Sequence, residues 1–118
     1  MWNNLDVASL APQPQQPLLF TMNCLNGYIH FPSLNSLAEQ FLKAGDRGAI
    51  AVFAPTGLSV DEPAHVYHKL LLSEITSGRH ARLGDAVLAA QGLYASGGEL
   101  PELLAVYHLL GDPALSIR

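Results

Sequence analysis

The chain has 118 residues, of which 49% are hydrophobic and 14% are charged, a composition typical of one compact domain and unlike that of a disordered segment. Six basic and ten acidic residues give a net charge of -4 without any basic cluster, so we expect no nucleic-acid partner. The N-terminus lacks the basic and apolar regions of a signal peptide, and no apolar run is long enough to cross a membrane, so the sequence predicts no membrane partner and indicates no compartment.

The N-terminal part of the chain predicts a loose connector followed by a buried strand. Residues 1–16 contain Pro12, Pro14 and three glutamines, which favours an extended segment, and residues 17–118 are expected to form the globular body of a single domain. The apolar run from residue 18 to residue 20 predicts a strand, which the turn residues between Asn23 and Gly27 end.

Cys24, the only cysteine, lies at the exit of this strand and is the first candidate for a chemical role. In open α/β sheets, ligands bind beyond the carboxyl ends of the strands, so a thiol at this position is a candidate nucleophile. Free cysteines are also among the most commonly buried residues, so an inert structural cysteine is the alternative. A single cysteine forms no disulfide within the chain and therefore indicates no redox compartment.

A helix and a second strand are predicted next. An apolar stripe with helical spacing begins after Ser33. Ser36 and Glu39 have the spacing of a capping box, with Ser33 as the alternative cap, and Gly45 is placed to end the helix in a left-handed turn. The run from residue 48 to residue 53 is almost continuously apolar, as in a strand that is buried on both faces of a parallel sheet. This strand is followed by the turn residues Ala54, Pro55, Thr56 and Gly57. A strand–helix–strand unit brings both strand exits to the same edge of the sheet.

The second half of the chain predicts three helices. The first has Ser59 and Glu62 as a capping box and ends at Gly78, and the second begins near Leu83 and ends at the glycines 97 and 98. The third carries the apolar stripe Leu103, Val106, Tyr107 and Leu110, and the alternating tail from residue 114 to residue 118 predicts a short edge strand. These patterns together predict an α/β fold with a small parallel sheet of two or three strands and a helix-rich C-terminal half.

The five histidines give weak signals for a site. His65 and His68 are spaced to share a helix face, but no acidic pattern completes a metal site, so we expect no metal and no cofactor. His30 follows Cys24 by six residues and would serve as its base only if the turn folded back. His80 lies between two arginines and suits a weak anion contact, and His108 is expected at the surface.

Three segments of the chain resemble the gingipain-type cysteine peptidases of the caspase-like clan: TMNCLNGYI, SLNSLAEQFLKAGDRGAIAVFAPTGLS and YHLLGDPALSIR. The resemblance extends from about residue 6 to the end of the chain and implies a partial three-layer sheet, the C-terminal part of a catalytic domain. It implies that Cys24 is the nucleophile and that Ala54, Pro55, Thr56 and Gly57 help to form the substrate pocket, with Leu58 and Ser59 behind them. The implied substrate is a peptide or protein, and members of the family are often exported.

The resemblance also implies a histidine that this chain lacks. The general base of these peptidases belongs to a His-Gly pair on the strand that precedes the cysteine strand, and the chain contains no His-Gly pair. We therefore expect a truncated domain with very low activity on its own. We also expect an unpaired sheet edge formed by Leu18, Met22 and the residues between them, which would bind a second copy or a partner chain. The alternative is that the Pro-rich opening segment folds over this edge as a cover.

Three interpretations stay open on the sequence alone, and whether the chain is an enzyme by itself is undetermined. The first is the cysteine-peptidase unit just described. The second is a non-catalytic, caspase-like interaction module that completes a sheet with a partner or with itself. The third is an unrelated small α/β domain with a buried structural cysteine.

Overall fold

The structure, a computed structural model, describes residues 3–97 and 100–118. Its sheet has three strands, β1 (Leu18–Phe20), β2 (Ala51–Pro55) and β3 (Tyr107–Gly111), in the order β1-β2-β3. β1 runs parallel to β2, with Leu19 opposite Val52, and β3 runs antiparallel to β2, with Leu109 opposite Phe53. The α/β class is therefore confirmed, but the sheet is mixed.

The helices are α1 (Asn4–Ala8), α2 (Leu37–Lys43), α3 (Asp61–Thr76), α4 (Leu83–Ser96) and α5 (Glu102–Val106). A short 3-10 helix, Gly45–Arg47, follows α2. No helix in the described ranges is long and apolar enough to cross a membrane. The connector predicted at the N-terminus thus contains one short helix, which buries the side chain of Val7.

The sheet is the middle of three layers, because alternate residues of β2 face opposite sides. Val52 and Ala54 pack with Ala38 of α2 on one face. Ala51 and Phe53 belong to the larger cluster on the other face, which α3 and α4 contribute to. All five residues of β2 are buried, as predicted for a strand that is covered on both sides.

The start of α2 confirms the predicted capping box. The Ser36 hydroxyl accepts a hydrogen bond from the backbone N–H of Glu39 at 3.3 Å, and the Glu39 carboxylate accepts one from the N–H of Ser36 at 2.9 Å. Two of the N–H groups that a helix start leaves unpaired are thereby satisfied. Gly45 follows the helix with φ of +62°, the predicted left-handed turn.

Two predictions for the second half of the chain are wrong. The third predicted helix ends early: α5 stops at Val106, and Tyr107 begins β3, because this segment pairs with β2 over residues 107–111. The capping box of Ser59 and Glu62 does not form, since Val60 is the cap of α3 and the Ser59 hydroxyl is bonded elsewhere.

A further prediction, the short edge strand in the tail, is also wrong, whereas two helix ends agree with the sequence. The end of α3 before Gly78 and the end of α4 before Gly97 are those predicted, and residue 98 lies outside the described residues. The C-terminal tail forms a single bridge, between Ser116 and Arg82, and no extended strand.

β1 is an edge strand, as the sequence predicts. Within the described residues it pairs with β2 alone, so its other edge has no strand partner. A groove runs along this side, and its lining combines β1, the loop that follows it, α2 and the N-terminal segment: Leu10, Gln13, Leu19, Met22, Asn26 and Phe41. The N-terminal segment is attached beside the groove by a hydrogen bond from the Gln13 N–H to the carbonyl of Asp46, at 2.8 Å.

Candidate functional site

The thiol of Cys24 is exposed in the turn that follows β1. Its hydrogen-bond partners are both backbone groups of Ser59: the N–H donates to Sγ, and the carbonyl accepts from the thiol, each at 3.3 Å. The alternative of a buried structural cysteine is therefore wrong. The chain places the thiol at the carboxyl end of a parallel strand and against the loop that leaves the neighbouring strand.

The turn that carries Cys24 is fixed to the exit of β2 by two backbone hydrogen bonds. The Leu25 N–H donates to the carbonyl of Gly57 at 3.1 Å, and the Gly27 N–H donates to the carbonyl of Pro55 at 2.9 Å. Gly27 comes so near β2 that a Cβ on it would lie 3.1 Å from the Cβ of Ala54, so only glycine fits without displacement. The two strand exits are thus held together, as predicted for a βαβ unit.

Leu25, the residue after the thiol, has φ of +65°. This left-handed conformation is rare for a residue other than glycine, asparagine or aspartate and costs about 1–3 kcal/mol. The surrounding hydrogen bonds maintain it, and strained backbone of this kind is concentrated at functional sites. The Leu25 side chain is exposed, so burial of this side chain does not compensate for the strain.

Tyr107, the first residue of β3, connects the two loops beneath the thiol. Its hydroxyl lies 2.8 Å from the Ser59 Oγ and donates to the Met22 carbonyl at 3.4 Å. Its ring is 1% exposed and is enclosed by three other rings, which belong to Phe53, Tyr67 and His68. Burial raises the pKa of Tyr107, so the hydroxyl keeps its proton and remains a donor.

The predicted pocket residues lie beside this turn but differ in exposure. The prediction of Ala54 and Pro55 as turn residues is wrong, because β2 extends through both and buries them, whereas Thr56 and Gly57 are half-buried. Thr56 is held by its N–H and its hydroxyl, which both donate to the carbonyl of Val106. The most exposed side chain of the loop is the next one, Leu58, at 77%.

A cleft of about 750 Å³ opens between the exit of β1 and the start of α3. Its lining is mixed in charge and includes Asn23, the neighbour of the candidate nucleophile: Met22, Asn23, Asp61, Glu62, His65, Val66 and Lys69. Among the described residues, no group of three or more metal-binding side chains comes together.

None of the five histidines is a hydrogen-bond partner of the thiol in this structure. The His30 ring packs edge-on against Tyr28 and is exposed. His65 is exposed while His68 is buried, so the two do not share an accessible surface. His68 donates from Nδ1 to the Ala64 carbonyl at 2.8 Å, and burial lowers its pKa, which favours the neutral ring.

His80, for which the sequence suggests a weak anion contact, contacts a carboxylate of the chain itself. Its Nε2 lies 2.7 Å from a carboxylate oxygen of Glu74, which Arg79 also contacts. These hydrogen bonds, first that of His80 and then that of Arg79, lower the pKa of Glu74. The cluster joins the end of α3 to the segment before α4 and is structural.

The sequence pattern of Peptidase family C25 matches residues 1–118. The chain belongs to peptidase family C25. Among solved structures, this C25 chain is similar to the Arg specific cysteine proteinase gingipain R, with a TM-score of 0.87 and 19% sequence identity. The match covers 99% of this chain and 29% of gingipain R, so the C25 chain spans under a third of that protein. No curated protein matches.

The family and the fold predicted by the resemblance are thus confirmed. Sequence reasoning placed Ser59 behind the pocket wall but did not connect it to the thiol, because it also read this serine as a helix cap. It did not find Tyr107, which was assigned to a helical pattern. The only local signal for Tyr107 was its place in the closing segment YHLLGDPALSIR, which carries the resemblance.

Proposed function

We propose that this C25 domain is a cysteine-peptidase unit in which the Sγ of Cys24 attacks the carbonyl carbon of a peptide bond. The observation that supports this most strongly is the exposed thiol at a strand exit, bonded to the backbone of the neighbouring loop, in a chain of a peptidase family. Attack forms a thioester, the peptide C–N bond breaks as the amine takes a proton, and water then hydrolyses the thioester. The thiol proton must be taken up by a base.

We propose that the base is a histidine supplied by a polypeptide segment other than residues 1–118. The thiol bonds to Ser59 and to no histidine, and no His-Gly pair is present in the sequence. Loss of a general base reduces a rate about 10²–10⁴-fold, and loss of one oxyanion donor reduces it by about 10²–10³. We therefore expect residues 1–118 alone to hydrolyse peptides very slowly, although the thiol remains reactive.

We propose that Ala54, Pro55, Thr56 and Gly57 form one wall of the substrate site. The backbone of this segment runs beside the cysteine turn and is bonded to it at Leu25 and Gly27. Only Thr56 and Gly57 have accessible surface, so they are the residues of this wall that would touch a peptide.

The test is labelling by a peptidyl chloromethyl ketone, followed by mass spectrometry of the modified residue. The proposal expects modification at Cys24 and none in Cys24→Ala. A polypeptide that carries a His-Gly segment, added in trans or fused in front of the chain, should accelerate the labelling. Equal labelling with and without that segment would contradict the missing base, and modification at a histidine in place of Cys24 would contradict the nucleophile.

A second candidate function is protein binding through β1, which the unpaired edge of this strand favours. An added strand, from a second copy or from a partner, would extend the sheet and cover Leu19 and the groove beside it. Sedimentation velocity over a wide range of concentrations tests self-association. A monomer throughout that range would count against the homodimer and leave a separate partner chain as the form to be tested by pull-down.

A further inference from the structure

We propose that Tyr107 is a positioning residue for the Cys24 thiol and that it acts through Ser59. This inference rests on the proposed function, because it concerns the geometry of the proposed nucleophile. It goes beyond the resemblance, which assigns roles to Cys24 and to the wall of the pocket but none to Tyr107 or Ser59.

The sulfur of Cys24 contacts the backbone of Ser59 twice. The N–H and the carbonyl of Ser59 both lie 3.3 Å from Sγ, so the position of this single residue determines where the thiol points. The Ser59 carbonyl accepts a hydrogen bond from the thiol, and the Ser59 N–H donates a hydrogen bond to the sulfur. Both contacts change together if Ser59 moves.

Ser59 is itself attached to the core through its side chain. Ser59 lies in an irregular segment between β2 and α3, where no helix or strand ladder holds its backbone. Its hydroxyl is 2.8 Å from the hydroxyl of Tyr107. Since the Tyr107 hydroxyl donates to the Met22 carbonyl, the Ser59 hydroxyl is the donor in the contact between the two side chains. One tyrosine oxygen therefore joins the segment before Cys24 to the segment that bonds its thiol.

The ring of Tyr107 is held in place by its neighbours in the core. The Phe53 ring stacks on Tyr107 at 5.4 Å between centroids, and the His68 and Tyr67 rings meet it edge-on at 5.0 and 5.7 Å. The ring is also anchored at the start of β3, where it lies opposite Pro55 of β2. The Tyr107 hydroxyl therefore has a fixed position in the core. Its hydrogen bonds to Ser59 and to the Met22 carbonyl fix the positions of these two loop residues.

Alkylation kinetics of Cys24 test this proposal without any need for peptide hydrolysis. The variants are Tyr107→Phe, Ser59→Ala, the double variant and Ser59→Thr, each measured with iodoacetamide and with the peptidyl chloromethyl ketone. Loss of one intramolecular hydrogen bond corresponds to a rate change of about three- to tenfold. We expect Tyr107→Phe and Ser59→Ala each to slow the reaction with the peptidyl reagent by such a factor. The double variant should be no slower than either, and Ser59→Thr, which keeps the hydroxyl, should react like the unsubstituted protein.

Tyr94→Phe is the matched control. Tyr94 is also buried, and its hydroxyl donates to the carbonyl of Leu100 at 3.1 Å, away from the thiol. We expect this variant to lose stability, as Tyr107→Phe does, but to react at the unsubstituted rate. A slowing in Tyr94→Phe equal to that in Tyr107→Phe, or multiplicative effects in the double variant, would overturn the positioning role.

The same data separate this inference from the proposed function. If iodoacetamide alkylation of Cys24 depends on Tyr107 but the peptidyl reagent does not modify Cys24, the positioning role is supported and the peptidase proposal fails. If the peptidyl reagent modifies Cys24 equally fast in the unsubstituted protein and in Tyr107→Phe, the peptidase proposal stands and the positioning role is overturned.

Discussion

Gly111 and Gly92 are expected to respond in opposite ways to the same substitution by alanine. Gly111 ends β3 with φ of +135°, a conformation that residues with a side chain rarely adopt, and it lies opposite Ala51 of β2. A Cβ at this position would be 2.7 Å from the Ala51 Cβ and 3.0 Å from its Cα. Backbone strain of about 1–3 kcal/mol and an overlap of about 1–3 kcal/mol together predict a loss of about 2–6 kcal/mol in the free energy of unfolding.

Gly92 provides the control. It is exposed in the interior of α4, and a Cβ there would have no neighbour within 4 Å. Alanine is the better helix former by about 1 kcal/mol, so Gly92→Ala should stabilise the domain by up to that amount.

Thermal unfolding followed by circular dichroism measures both changes as shifts in Tm, and urea unfolding measures them as free energies. For a domain of this size, 1 kcal/mol corresponds to about 4 °C in Tm, so Gly111→Ala should melt roughly 8–24 °C lower and Gly92→Ala a few degrees higher. Unfolding of Gly111→Ala at the unsubstituted temperature would refute the register of β2 and β3. A strong destabilisation by Gly92→Ala would refute the exposed placement of that helix face.

Three further predictions concern caps and titrating groups. Ser36→Ala removes the capping box of α2 and should lower the free energy of unfolding by about 1 kcal/mol, measured as the urea midpoint, with Ser36→Asp as the variant that retains a cap. Burial lowers the pKa of His68 from 6.5, so the folded state favours the neutral ring. The contribution of His68 to the free energy of unfolding is fully present above pH 6.5 and is lost as the pH falls from there through the lowered pKa. His68→Phe should remove this dependence in unfolding curves taken across pH 4–8. The pKa of Glu74 is lowered from 4.5, so its contribution to the free energy of unfolding is present above pH 4.5 and is lost as the pH falls through the lowered pKa. Glu74→Gln should flatten the acidic part of the plot of unfolding free energy against pH. An unchanged slope would contradict the role of the cluster with His80.

Local features of the chain were predictable from the sequence. The capping box of Ser36 and Glu39 and the left-handed Gly45 depend on neighbours within a few residues, and the structure contains both. The buried run before Ala54 was also predictable, because a strand covered on both faces has no polar alternation. The position of Cys24 at a strand exit follows from the same local reasoning.

Features that depend on distant partners were not predictable in the same way. Ser59 and Glu62 have the spacing of a cap, but a tyrosine 48 residues later competes successfully for the serine hydroxyl. The segment around Tyr107 has helical spacing, but pairing with β2 outweighs this local preference. Propensity is a weak prior at such positions, and both errors fall where the chain builds the site around the thiol.

The remote origin of β3 also has a consequence for how the protein folds. The two partners of the Tyr107 hydroxyl precede it by 48 and 85 residues, so these contacts close long loops and are formed late. During synthesis, the segments of β1, β2 and α3 emerge before β3 does. The nascent chain therefore carries Cys24 on a turn that can bond to the exit of β2 but lacks the connection through the Tyr107 hydroxyl. Docking of the last strand completes the domain and, in the same event, assembles the surroundings of its thiol.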